Sequence, residues 1–181
     1  MKELIIVEHK SESYAPRTYH NASQGVTLAV ATDFTTAGEK LTHKAAKDKI
    51  VQIVWHKPEV VVAARSLYSI LKKNDCHVVN VAGNGIYTLQ KKGVTQEMAN
   101  QFIYDVLNLV NTHWPITKVV SGGQTGMDTA GLVAGCALDI ETIGTWPKGF
   151  KMRFEDGKDV SMTEDQIKDI VYNGVKELEI D

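Results

Sequence analysis

Short apolar runs rich in β-branched residues alternate with helical patterns along this chain, and the alternation constrains the fold more than any other feature. Such runs occupy residues 26–32, 50–55, 77–82 and 116–120, and a helical pattern follows each of them. Nearly continuous apolar runs are typical of parallel strands, because both faces of a parallel sheet are covered. We therefore predict an α/β fold: a Rossmann-like three-layer domain with a mostly parallel sheet and helices on both faces.

Length and composition indicate a single domain with no membrane or duplex nucleic-acid partner. The 181 residues, 43% of them hydrophobic, suffice for one core but not comfortably for two, so we predict one domain over residues 1–181. The net charge of −2 leaves no broad basic face for a duplex. The chain has neither a membrane-length apolar run nor an N-terminal signal pattern, and we expect a cytoplasmic protein.

The spacing of cysteine and histidine predicts no metal site. Cys76 and Cys136 lie far apart, and neither has a CxxC partner. The histidines show neither an H-x3-H nor an HExxH pattern. Two unpaired cysteines suit a reducing compartment.

A glycine-rich turn at residues 121–128 is the strongest candidate binding element. It lies between a predicted strand and a predicted helix, which is the order that a phosphate-binding loop requires. Glycines there permit positive φ angles and let an anion approach the backbone amides. The predicted ligand-binding residues of this turn are Ser121, Gly122, Gly123, Gln124, Thr125, Gly126 and Asp128. Thr125 and Asp128 also match an acidic capping box, which would merely cap the helix.

Three motifs carry a resemblance to a known family: GGQTGMDTA at residues 122–130, WPKG at 146–149 and EDG at 155–157. They resemble the molybdenum-carrier family, which is itself similar to the wider SLOG group of Rossmann-like nucleotide-binding domains. The resemblance covers residues 117–160, about a quarter of the chain. It implies a nucleotide or nucleotide-derived ligand, such as an ADP-ribose-like molecule or a cyclic nucleotide signal.

Two further turns are predicted to lie at the same edge of the sheet. The turns at residues 32–36 and 83–87 each follow a predicted strand, and the carboxyl ends of parallel strands meet at one edge, so a single crevice should result. The candidate ligand-binding residues here are Thr32, Asp33, Phe34, Thr35, Thr36, Gly83, Asn84, Gly85 and Tyr87. A capping box explains Thr36 and Glu39 without any ligand, and Asn84-Gly85 also fits a hairpin turn.

The N-terminal part of the chain is predicted to be partly irregular. A short strand at residues 4–7 is followed by a polar segment at 8–24 with Pro16 near its centre. Long polar loops are often binding elements. We interpret residues 1–25 as a strand and a flap that brings Arg17 over the site.

Four side chains outside the turns complete the predicted site. Trp146 is predicted either to stack on a base or to lie at the edge of the core. Lys148 follows a strand end, whereas Arg17 and Arg153 are predicted to lie in loops, the latter within a loop at residues 149–159. We therefore expect Lys148 to contribute more than either arginine to binding a phosphate.

Several functions remain open. The favoured one is binding of a nucleotide-like small molecule, as a sensor or as a sequestering protein of the kind a phage would use against a host defence signal. The enzymatic alternative is a nucleoside-phosphate or N-glycosidic hydrolase with Asp128 or Asp33 as acid or base. The phosphoribohydrolases that SLOG domains resemble carry PGG-x-GT-x-x-E, and this chain has no glutamate at that spacing. The resemblance also leaves a molybdenum-cofactor carrier open.

One helix raises the question of a protein partner. The pattern at residues 95–113 predicts a long helix with a wide apolar stripe. Such a stripe is core packing first and a dimer face second, so a homo-oligomer remains an alternative.

Overall fold

Six parallel strands form the central sheet. In the computed structural model, which describes residues 1–181, they are β1 (Leu4–Glu8), β2 (Val26–Ala31), β3 (Ile50–Val54), β4 (Val78–Gly83), β5 (Lys118–Ser121) and β6 (Glu141–Trp146). Their order across the sheet is β1-β6-β5-β4-β2-β3, and every neighbouring pair is parallel. The prediction of a Rossmann-like α/β domain is confirmed.

Seven α-helices flank the sheet. They are α1 (Tyr14–Ser23), α2 (Ala37–Ala46), α3 (Val60–Lys73), α4 (Ile86–Leu89), α5 (Gln96–His113), α6 (Met127–Ala137) and α7 (Glu164–Glu177). The main core packs α3, α5 and α6 on one face of the sheet, whereas α1 and α2 pack against each other on the opposite face. None of the helices combines the length and apolar character needed to cross a membrane.

The side chains of β4 show how the two faces differ. Val79 and Val81 are fully buried in the main core. Side chains alternate along a strand, so Asn80 and Ala82 face the other way, where they line a cavity shared with α1 and α2. One face of the sheet is therefore apolar and closed, while the other is polar around β4.

Small residues let α6 lie directly on the sheet. A Cβ atom added at Gly131 would stand 2.5 Å from Cβ of Val81, and one added at Gly135 would overlap Thr142. Because α6 follows the end of β5 after a short turn, its first residues lie at the carboxyl edge of the sheet.

The prediction of an irregular segment at residues 8–24 is wrong. The structure has helix α1 over Tyr14–Ser23, and Pro16 is its third residue. Proline is tolerated in the first turn because the amide at that position needs no partner within the helix. Arg17 consequently lies on a helix rather than in a mobile flap.

The predicted loop at residues 149–159 contains regular structure. Two short antiparallel strands, β7 (Lys151–Arg153) and β8 (Asp159–Ser161), pair as a hairpin. Met152 is buried in a second apolar cluster with Trp146 and with Ile167 of α7. The hairpin therefore packs on the body of the domain, next to the glycine-rich turn.

Candidate functional site

The three predicted turns come together. They follow β2, β4 and β5, which are neighbours in the sheet, so all three lie at one carboxyl edge. Beside them is a cavity of about 330 Å³, bounded by the sheet on one side and by α1 and α2 on the other. This position is where open α/β sheets generally bind ligands.

Nine predicted site residues line the cavity. They are Arg17, Thr36, Gly83, Asn84, Gly85, Gly122, Gln124, Asp128 and Arg153. Ten further residues complete the lining: Tyr14, Thr18, Asn21, Gly38, Glu39, Leu41, Thr42, Asn80, Ala82 and Thr88. Only three of the 19 are hydrophobic, so the cavity suits a polar ligand.

The other predicted residues of the first two turns lie outside the lining. Asn84 Oδ1 accepts hydrogen bonds from the amides of Thr32 and Asp33, at 2.9 and 3.1 Å, which fixes the first turn against the second. Asp33 is exposed and accepts from the hydroxyl and amide of Thr35, and these bonds lower the pKa of its carboxyl. Phe34, like these three, does not reach the cavity.

Tyr87, Ser121 and Lys148 are also away from the cavity. The Tyr87 ring lies against the hairpin at Gly157. Ser121 is buried, and its hydroxyl is within hydrogen-bond distance of two backbone carbonyl groups. Lys148 is exposed, with its amide donating to the carbonyl of Ser11. The charge that we expected to bind a phosphate best therefore does not line the cavity.

The glycine-rich turn uses most of its own amides. Gln124 N–H donates to Asp128 Oδ2 at 3.1 Å, and Gly126 N–H donates to Gln96 Oε1 at 2.7 Å. Thr125 N–H donates to the side chain of Gln124 at 2.9 Å. Within residues 122–126, only the amides of Gly122 and Gly123 donate to no protein group. The turn is thus fixed by hydrogen bonds among its own residues and to Gln96 of α5, and most of its amides are not free to bind an anion.

Gly123 and Trp146 pack against each other. A Cβ atom at Gly123, where φ is +81°, would overlap the Trp146 indole ring. Trp146 is fully buried. Two roles were predicted for Trp146, and the structure agrees with the one in the core. The ring lies beneath the glycine-rich turn and supports it, and no face of the ring is free to stack on a base.

Three ionisable side chains line the cavity in buried positions. Arg17 and Glu39 are each 5% exposed and Asp128 is 9% exposed. Arg17 Nε and Nη1 have no hydrogen-bond partner, and neither has Glu39 Oε2. None of the three forms an ion pair within 4.0 Å. Buried polar groups normally have partners, so these unpaired atoms mark the place where a ligand would supply them.

Burial shifts the protonation of all three groups. It raises the pKa of Asp128 to about 6, although the Arg17 charge opposes this increase. Burial, together with the Asp128 charge, raises the pKa of Glu39 to about 8. Burial also lowers the pKa of the Arg17 guanidinium, which Asp128 opposes. At pH 7 the cavity therefore holds a guanidinium, a carboxylate and a neutral carboxylic acid.

Gly122 leaves a gap between the opposite charges. A Cβ atom at Gly122 would stand 2.8 Å from Asp128 Oδ2 and 3.5 Å from Arg17 Cζ. The guanidinium and the carboxylate therefore approach the same open point without pairing directly. A ligand at that point would contact both a guanidinium that binds anions and a carboxylate that accepts hydrogen bonds.

The hairpin closes one side of the cavity mouth. Gln124 Oε1 accepts the amide of Arg153 at 2.7 Å, and the Thr125 hydroxyl donates to the carbonyl of Arg153. The Arg153 side chain is about half exposed and pairs with Asp159, with Nε 2.9 Å from Oδ1. Its guanidinium is therefore already neutralised, in contrast to that of Arg17.

Sequence reasoning missed Glu39 and Asn80. Thr36 does cap α2, accepting the Glu39 amide at 3.3 Å, but the Glu39 side chain does not return to complete the box. Asn80 is a buried amide within an otherwise apolar strand. A polar residue in an apolar strand is a signal that could have identified Asn80. Glu39 was missed because the capping pattern already accounted for it.

Comparison with models of known protein families, with curated proteins and with solved structures found no match. The structure also contains no group of three or more side chains suited to holding a metal ion.

Proposed function

We propose that the protein binds a nucleotide or nucleotide-derived small molecule in this cavity and acts as a sensor or sequestering protein. The observation that carries the proposal is the buried Arg17 guanidinium, whose Nε and Nη1 atoms have no partner. A buried charge without a partner is costly, and a guanidinium fork matches the geometry of a phosphate. An anionic ligand would supply the missing acceptors.

The remaining lining supports a ligand with hydroxyl groups. Asp128 is ionised at pH 7 and accepts hydrogen bonds, as a pair of ribose hydroxyls would require. The amide side chains of Asn21 and Asn80 can both donate and accept. The volume of about 330 Å³ is at the lower end of the range of roughly 300–1,000 Å³ for ligand sites, which favours a mononucleotide-sized molecule over a dinucleotide.

One observation favours a second function, N-glycosidic hydrolysis of a nucleoside monophosphate. The pKa values of two carboxyl groups in one cavity are about 6 for Asp128 and about 8 for Glu39, the separation that acid–base catalysis uses. Water would attack C1′ as the bond from C1′ to the base breaks. Asp128 would take the proton from the water, and Glu39 would protonate the leaving base. The molybdenum-cofactor carrier alternative rests on the sequence resemblance alone.

Calorimetry with the four ribonucleoside 5′-monophosphates tests the proposal. Arg17→Met should weaken binding by about 10- to 100-fold, the scale of a lost hydrogen bond to a charged group. Lys148→Met removes an exposed lysine outside the cavity and is the matched control, which should bind like the wild type. Equal losses in the two variants, or none in Arg17→Met, would contradict the assignment.

Chromatography of the same mixtures separates binding from turnover. Release of free base by the wild type, lost in Asp128→Asn, would establish the hydrolase. Binding without release supports the sensor or sequestering function.

A further inference from the structure

Glu39 is the least explained group in the cavity. It lies on the first turn of α2, and its backbone amide is bonded to Thr36, but its Oε2 atom has no partner. The side chain is 5% exposed, and no cation lies within 4.0 Å of it. An ionised carboxylate in such a position is strongly disfavoured, because burial removes most of its hydration and no counter-charge compensates for the loss.

The charges around Glu39 also disfavour its ionisation. The groups acting on Glu39 are Asp128 of α6 and Asp33 of the turn after β2, both negative. Arg17 and Tyr14 of α1 and Arg153 of the hairpin also line the cavity. Arg17 acts on Asp128 rather than on Glu39, and Arg153 is paired with Asp159. No cation therefore offsets a negative charge on Glu39.

We propose that Glu39 binds the ligand as a neutral carboxylic acid and donates its proton in a hydrogen bond to an acceptor on the nucleobase. This inference rests on the proposed nucleotide-binding function and adds a specificity-determining residue to it. A neutral carboxyl group has one O–H donor, and the cavity provides it with no protein acceptor. A keto oxygen or an unprotonated ring nitrogen is the ligand atom that meets this requirement.

The neutral donor makes binding depend on pH in a defined window. With a pKa of about 8, Glu39 is mostly neutral at pH 7 and mostly ionised at pH 9. Asp128 is already ionised at pH 7, since its pKa is about 6. The second ionisation of a phosphate monoester also lies near pH 6. Between pH 7 and pH 9, the change in affinity therefore reports on Glu39.

The test measures the affinity of AMP and CMP by calorimetry at pH 7.0 and pH 9.0. Wild-type affinity should fall about tenfold, following the loss of the neutral form of Glu39. Glu39→Gln keeps an N–H donor that cannot ionise, so its affinity should be similar at both pH values and close to that of the wild type at pH 7.0. Glu39→Ala has no donor and should bind weakly at both.

Two results would overturn the inference. One is a pH-dependent loss in Glu39→Gln as large as in the wild type. The other is equal weakening by Gln and Ala at pH 7.0, which would mean that an uncharged donor at position 39 does not support binding.

A ligand-free measurement separates this inference from the proposed function. Carboxyl ¹³C NMR, assigned with Glu39→Gln, should show a Glu39 titration midpoint near 8. If neither mononucleotide binds at pH 7.0, their binding as proposed is refuted. The midpoint still decides the state of Glu39: a value near 8 supports the neutral acid, and a value below 6 overturns it.

Discussion

Replacing Arg17 with methionine is expected to stabilise the folded protein while it removes ligand binding. Methionine keeps an unbranched, flexible apolar stem in place of the arginine stem but carries no charge. In the native protein the guanidinium is 5% exposed, and its Nε and Nη1 atoms donate to nothing. The ligand-free fold therefore carries a desolvation penalty that the variant lacks.

The expected magnitude follows from opposing contributions. An unsatisfied buried polar group costs about 1–3 kcal/mol, so removing two such N–H groups is clearly favourable. Against this, Arg17 Cζ lies 4.8 Å from the centre of the Tyr14 ring, a contact worth about 0.5–1 kcal/mol. The net gain in the free energy of unfolding should be about 2 kcal/mol. For a chain of this length, about 2–4 °C per kcal/mol predicts an increase in Tm of about 4–8 °C.

The gain should be larger at low pH, for a reason that involves Asp128. The Arg17 charge holds down the pKa of Asp128, which burial has raised to about 6. Without Arg17, ionised Asp128 loses the opposite charge that stabilises it, so part of the gain disappears above pH 6. At pH 5 Asp128 is mostly neutral in both proteins, and the whole gain should be present.

Urea unfolding at pH 5.0 and pH 7.5 measures both effects. The midpoint should rise in Arg17→Met with an unchanged m-value. Lys148→Met is the surface control and should change stability by less than about 0.5 kcal/mol. When Arg17→Met is added to Asp128→Asn, the gain in stability relative to Asp128→Asn should no longer depend on pH. A loss of more than about 1 kcal/mol in Arg17→Met at pH 5.0 would refute the reasoning, because the guanidinium would then be structural.

Three further substitutions test the cavity. Folding raises the pKa of Glu39 from 4.5 to about 8, so the wild type should lose stability as pH rises through this range. The loss in the free energy of unfolding between pH 4.5 and 8.5, measured with urea, should be on the order of 4 kcal/mol in the wild type. Glu39→Gln should not show this loss. Asp128→Asn should remove the loss of stability that the wild type shows between pH 3.8 and about 6. If either variant loses stability with pH as steeply as the wild type, the assigned effect of burial is contradicted. Gly122→Ala places a Cβ atom 2.8 Å from Asp128 Oδ2 and should abolish mononucleotide binding in calorimetry, with the fold retained by circular dichroism; unchanged affinity would exclude the gap beside Gly122 as the ligand position.

Much of the fold was predictable because apolar periodicity dictates it. The strands that end at Ala31, Gly83 and Ser121 are apolar on the face that packs against α3, α5 and α6, so the sequence shows them clearly. Three parallel strands followed by turns necessarily place those turns at one edge. The location of the cavity therefore followed from the sequence.

Helix α1 was not predictable by the same reasoning. Its buried residues are Arg17, Asn21 and Ala22, so the inward face of this helix carries almost no apolar side chain. A helix is ordinarily recognised from an apolar stripe that faces the core. This one faces a polar cavity instead, and its sequence consequently resembles a polar loop.

Polar residues on inward-facing positions also explain why Glu39 and Asn80 were missed, and they support a binding function. Arg17, Glu39 and Asn80 come from α1, α2 and β4, and each is a polar residue at a position where packing alone would favour an apolar one. Burying such groups without partners opposes folding. Here they converge on one cavity, and atoms of Arg17 and Glu39 remain unpaired inside it. Local departures from the folding pattern that meet at one point are expected where a site is maintained for a ligand rather than for stability.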